Sequence, residues 1–90
     1  MSRKQVKHQL LVEYGKYCWC CGEKFKKNKL TLHHIHQYSE THTTTYEDSM
    51  ILCCKCHFDY INRIPYGSKE YWNEMHKILR RMEREKYFKE

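Results

Sequence analysis

No stretch of this 90-residue sequence is apolar for the length a membrane-crossing helix needs, and the first ten residues, MSRKQVKHQL, hold no apolar run of signal-peptide length. The expectation is therefore a cytoplasmic protein with no membrane partner. There is no internal repeat and no low-complexity tract, which excludes repeat architectures. Glycine and proline are scarce, three and one respectively. The polar, threonine-rich stretch 37–46 has neither, so it predicts a long loop and not a tight turn. Ninety residues are enough for one domain, 1–90, but too few for an apolar core that holds without a covalent or metal staple.

Cysteine, by contrast, is plentiful, with six in the chain. In a reducing compartment these are metal ligands before they are disulfides. Cys18 and Cys21 have the two-residue gap of a zinc knuckle, with Gly22 supplying the permissive backbone behind it, and Cys53 and Cys56 repeat the spacing. Two such pairs separated by about thirty residues predict one structural zinc held by Cys18, Cys21, Cys53 and Cys56. Cys20 and Cys54 remain, one inside each knuckle, and a register through Cys20 stays open. Lysine and arginine outnumber aspartate and glutamate by 17 to 11, a net charge of +6 that points to a polyanionic partner.

Ser2 and Gln5 fit a capping box, and Val6, Leu10, Leu11 and Tyr14 share one helical face before Gly15, so residues 3–14 are expected to be helical. Lys24 to Lys29, KFKKNK, is a basic turn that is either a grip for phosphates beside a site that begins just after it or a solvated hairpin tip. Leu30 to Leu32 reads as a strand, Tyr46 to Ser49 as a helical turn, Met50 to Leu52 as a second strand, and Cys56 to about Asn62 as a helix stopped by the Ile64-Pro65-Tyr66-Gly67 turn. Ser68 then caps a long helix with an apolar stripe of Tyr71, Trp72, Met75, Ile78, Leu79 and Met82. Its other face carries Lys77, Arg80, Arg81 and Arg84, with Glu85 and Glu90 spaced to pair with Arg81 and Lys86.

Between the knuckles stand His33 and His34, and His57 directly follows the last cysteine. Phosphodiester hydrolysis needs an activated water and positive charge where the phosphoryl oxygens gain negative charge, which a base and a divalent metal supply. Adjacent strand residues point to opposite sides, so His33 and His34 are expected to have different tasks. One would face a metal shared with His57, and the other the attacked phosphorus. His42 has no spacing partner and reads as a surface histidine.

The order Cys18-x-x-Cys21-Gly22, His33-His34-Ile35, Cys53-x-x-Cys56-His57 resembles the zinc-containing HNH endonucleases over residues 18–57. The resemblance implies an α+β fold: a small ββα-metal core pinned by the two knuckles, flanked here by an N-terminal and a long C-terminal helix. It implies a DNA endonuclease leaving a 5′-phosphate and a 3′-hydroxyl, with His34 as general base and a catalytic divalent metal on His33 and His57. His33 takes a place where relatives often have Asp. Two nitrogen ligands suit Ni, Co, Mn or Zn better than Mg. The family's middle asparagine falls at Asp48, which accepts the same hydrogen bonds but cannot donate them, or can orient an imidazole instead. Gln37 stands where a proline is usual, and His36 and Asn62 are expected near the site as reserve ligands.

The leading expectation is thus a metal-dependent DNA endonuclease, with a non-catalytic zinc-stabilised nucleic-acid-binding module as the alternative that Asp48 keeps open. A third reading is a protein-binding zinc domain that uses the Tyr71 to Met82 stripe. One cleft cuts one strand, so a double-strand break would need a homodimer, a second visit or a partner protein. The small size fits a phage or mobile-element product, which would place it in the host-cell cytoplasm.

Overall fold

Ser2 starts the first helix as a capping box: its Oγ accepts from the Gln5 N–H at 3.2 Å, and Gln5 Oε1 accepts from the Ser2 N–H at 2.9 Å. Helix α1 (Arg3–Tyr14) ends at Gly15, whose φ of 87° is left-handed and whose N–H closes onto the Leu11 carbonyl. A Cβ at Gly15 would also sit 3.0 Å from the Tyr17 ring, so the turn after α1 requires glycine. The computed structural model describes residues 2–83.

Strands β1 (Leu30–His34) and β2 (Ser49–Cys53) pair antiparallel, Leu30 opposite Cys53 and His34 opposite Ser49, as the two-stranded sheet of an α+β fold. Every residue of β2 is buried, as expected of an apolar run covered on both faces. Both strands are longer than the sequence reading. The ladder runs on through His33 and His34, and the Ile35 N–H continues it to the Asp48 carbonyl at 2.9 Å. Both histidines therefore lie on the strand itself.

The helical turn expected at Tyr46 to Ser49 shrinks to a turn at residues 47–48 that Thr45 caps and that runs straight into β2 at Ser49. Thr45 Oγ1 accepts from the Asp48 N–H at 3.2 Å, and its carbonyl accepts from Ser49 Oγ at 2.7 Å. The stretch read as a loop from Gln37 carries one helical turn, α2 (Tyr38–Thr41), which stops at His42 with φ of 55°. The helix expected from Cys56 starts at Lys55 and is wide: Lys55–Tyr60 is π-helical, and the Ile61 N–H reaches the carbonyls of both Cys56 and His57. Such widened turns are rare and concentrate at functional sites.

Helix α3 (Lys69–Arg81) begins with Ser68 Oγ accepting from the Tyr71 N–H at 3.1 Å and buries Tyr71, Met75, Ile78 and Leu79. These join Val6, Leu10, Trp19, Leu30 and Met50 to Cys53 of β2 in one buried cluster. Lys77, Arg80 and Arg81 are exposed, yet Arg81 also donates to the Cys20 carbonyl at 3.1 Å and so braces the first knuckle. Arg84 and the pairings expected of Glu85, Lys86 and Glu90 lie outside the described residues. No described helix is long and apolar enough to cross a membrane.

Ile78→Ala should cost about 2–5 kcal/mol of unfolding free energy, because it opens a cavity in the buried cluster, whereas exposed Lys77→Ala should stay within about 0.5 kcal/mol. Urea denaturation of both variants is the check, and equal costs would contradict the packing described.

Candidate functional site

Two knuckles bring four sulfurs together. In the first, the Cys18 N–H donates to the Glu23 carbonyl at 2.9 Å and the Gly22 N–H to the Cys18 carbonyl at 2.8 Å, closing residues 18–23 into a tight turn. The Trp19 N–H then docks this turn onto the Ile51 carbonyl of β2 at 2.9 Å, beside the second knuckle. Sγ of Cys18 accepts from the Cys21 N–H at 3.5 Å, and Sγ of Cys53 from the Cys56 N–H at 3.4 Å, so each knuckle orients its first sulfur in the same way.

The ligand atoms of Cys18, Cys21, Cys53 and Cys56 all lie within 4.8 Å of one another, positioned for a metal ion. Four thiolates sharing a zinc at about 2.3 Å sit roughly 3.8 Å apart, so the donor set fits with little contraction. Burial raises the Cys18 thiol pKa, but hydrogen bonds from Cys21, Cys53 and Cys20 outweigh it and the net shift is downward. Cys56 is pushed well up, by burial first and then by the Cys53 and Cys18 thiols, crowding that a cation would reverse. Cys20 stays outside the group, its pKa raised chiefly by burial, and Cys54 is exposed with its Sγ 3.6 Å from the Lys29 carbonyl.

His57 follows Cys56 directly and faces the other way, into a cleft of about 760 Å³ that His33, His34, Tyr38, Asn62 and Arg3 also line. Thr31 fixes its ring. The Thr31 hydroxyl donates to the Leu52 carbonyl at 2.8 Å and lies 2.7 Å from Nδ1 of His57. Having one proton and giving it to the carbonyl, the hydroxyl accepts from Nδ1–H, and the lone pair of His57 is left on Nε2. That nitrogen stands 3.3 Å from Nδ1 of His33. Two nitrogens bound to one ion at about 2.1 Å each span up to about 4.2 Å, so this pair can share a divalent metal. Burial first, then His34, lowers the pKa of His57 and so keeps its lone pair available.

His34 occupies the same cleft, with Nε2 3.0 Å from Thr44 Oγ1 and its ring 5.9 Å from that of Tyr38. Its pKa is lowered, chiefly by burial and then by the Arg3 guanidinium, with Asp48 opposing. Asp48 makes no hydrogen bond to His34. Its Oδ1 accepts from Nδ1 of His36 at 2.7 Å and its Oδ2 from the His36 backbone N–H at 3.3 Å, so the carboxylate ties the end of β1 to the start of β2. His36 is thereby held against Trp72, with ring centroids 5.1 Å apart, and does not line the cleft. His42 is exposed and lies outside the cleft as well.

The basic turn Lys24 to Lys29 contributes no lining residue, and among the described residues the cation that lines the cleft is Arg3, 5.8 Å from the Tyr38 ring centroid. Sequence reading missed Arg3 and Tyr71. Arg3 is one of several cations on the polar face of α1, and Tyr71 belongs to an apolar stripe that reads as core.

His33 is buried. Desolvation, then His57 and His34, lower its pKa from 6.5 to about 3. As pH falls the unfolded chain therefore binds this proton first, so stability is intact above about pH 6.5 and declines below it until about pH 3. Relative to His33→Asn, the wild type should lose about 1.4 kcal/mol more between about pH 7.5 and 5.5, read by urea denaturation without added divalent metal. Parallel losses in the two proteins would refute the assignment.

Neither a curated protein nor a solved structure matches the chain. The pattern of the HNH endonuclease family matches residues 18–63, just over half of the chain, from the first knuckle through the turn that follows the π-helical segment. With paired strands, a four-cysteine cluster and a histidine-lined cleft inside the matched segment, the chain belongs to the HNH endonuclease family.

Proposed function

We propose that this protein is a metal-dependent DNA endonuclease that hydrolyses phosphodiester bonds, with His34 as general base, a divalent metal on His33 and His57, and a structural zinc on Cys18, Cys21, Cys53 and Cys56. The observation that carries this reading is the approach of Nδ1 of His33 to Nε2 of His57, 3.3 Å, in a cleft that also holds His34. A divalent cation bound there supplies positive charge to the phosphoryl oxygens and the departing 3′ oxygen. His34 takes a proton from the attacking water and passes it to solvent. The water oxygen bonds to phosphorus as the bond from phosphorus to the 3′ oxygen breaks, and that oxygen leaves with the bond pair and takes a proton from solvent to become the 3′ hydroxyl. Arg3 places a second positive charge on the cleft, and the net charge of +6 favours a polyanion. Asp48 acts as a positioning residue through the loop it ties to His36.

Zinc at the knuckles substitutes for core that a chain of this size lacks, since structural zinc contributes about 10 kcal/mol or more of apparent binding energy to folding. Native mass spectrometry should therefore find one tightly held zinc, and a strong chelator should unfold the reduced protein. A chain that stays folded without zinc would overturn the assignment.

Plasmid nicking should be supported by Ni, Co, Mn or Zn better than by Mg, given two nitrogen ligands. His34→Ala should keep DNA affinity and metal binding while cleavage falls by about 10² or more. His57→Ala should lose both metal and cleavage. Because burial and Arg3 hold the His34 pKa low, the rise of wild-type cleavage with pH should have its midpoint below about pH 6.5, an unperturbed imidazole pKa. DNA binding without cleavage under any divalent metal would favour the binding-module reading instead. Full activity in His34→Ala would remove the base assignment alone.

A further inference from the structure

We infer that Tyr71, on α3 and beyond the residues the family pattern matches, is a positioning residue that sets the tautomer of His33 and so frees Nδ1 to bind metal. The inference rests on the metal role proposed for His33. Tyr71 Oη lies 2.7 Å from the Ile35 carbonyl oxygen and 3.0 Å from Nε2 of His33. Two oxygens 2.7 Å apart repel unless a proton lies between them, and only the phenol has one to give. Oη therefore donates to Ile35 and accepts from Nε2–H of His33. The second ring nitrogen, Nδ1, is left as a bare lone pair directed at Nε2 of His57.

Thr31 does the same for His57 through the Leu52 carbonyl, so two hydroxyls, each committed to a backbone carbonyl of the sheet region, set complementary tautomers on the two imidazoles. Two lone pairs facing each other at 3.3 Å are unfavourable for the protein alone and are reconciled by a shared cation. Tyr71 is itself buried and locked by ring contacts, with centroids 5.0 Å from Tyr66 and 5.0 Å from Trp72, so its hydroxyl has little freedom to reorient. Its phenol pKa is raised, by burial first and then by Tyr66 and Asp48, which keeps the proton needed for the bond to Ile35.

The test uses the zinc-loaded full chain, selectively labelled with ¹⁵N in the histidine rings, at neutral pH. In the wild type the His33 ring should show the Nε2–H tautomer. Tyr71→Phe, which keeps the ring contacts, should turn this into a mixture or its opposite and weaken Ni binding by about 10–100-fold in calorimetry. A wild-type His33 in the Nδ1–H form overturns the inference, as does a Tyr71→Phe protein with unchanged tautomer and Ni affinity. Should Tyr71→Phe fail to fold, the wild-type ring spectrum alone decides. If wild type and His57→Ala take up no Ni at this site, the metal reading fails, while the tautomer pattern still decides whether Tyr71 sets it.

Discussion

Four cysteine sulfurs gathered within 4.8 Å constrain nearly everything else. Two belong to a turn just after α1 and two to the end of β2 and the π-helical segment, so bringing them together fixes how the N-terminal region meets the sheet. In a chain this small, local turns and one buried cluster leave little margin against chain entropy, and a clamp that closes a long loop is worth the most. The bond from the Trp19 N–H to the Ile51 carbonyl and the donation from Arg81 to the Cys20 carbonyl are the packing that holds the clamp in register.

The clamp also aims the cleft. Cys56 and His57 are neighbours, one turned to the sulfur cluster and the other to His33, so fixing the first places the second. Both stand on the widened segment Lys55–Tyr60, a kind of turn that concentrates at functional sites. On the facing strand the two histidines also divide. His33 is buried against Tyr71 and His57, while His34, the last residue of β1, is half-buried against Thr44. Electrostatics agree with the geometry: burial disfavours protonation of all three imidazoles, aided by neighbouring imidazoles at His33 and His57 and by Arg3 at His34, and so favours the neutral state in which nitrogen can hold a metal or take a proton.

Asp48 shows how a carboxylate between the two strand ends is satisfied. A carboxylate only accepts, and the donors it needs are two groups of one residue, the backbone N–H and Nδ1 of His36. The strand ends are thereby crosslinked, and an imidazole that had looked like a reserve ligand is held against Trp72 instead.

The knuckle spacings, the cap at Ser2, the stop at Gly15, the stripe of α3 and the positions of His33, His34 and His57 were all legible in the sequence, because each depends on backbone periodicity or on a turn only a few residues long. The family followed from the same local patterns in the same order. Tertiary structure alone decided the rest. Arg3 reaches the cleft while the lysines of the basic turn do not, Asp48 meets His36, and Tyr71, from within its buried stripe, touches His33 across 38 residues of chain. The physical reason is that a hydroxyl, a carboxylate or a guanidinium announces its chemistry at every position, but which partner it meets is set by the angles and depth at which separate elements pack.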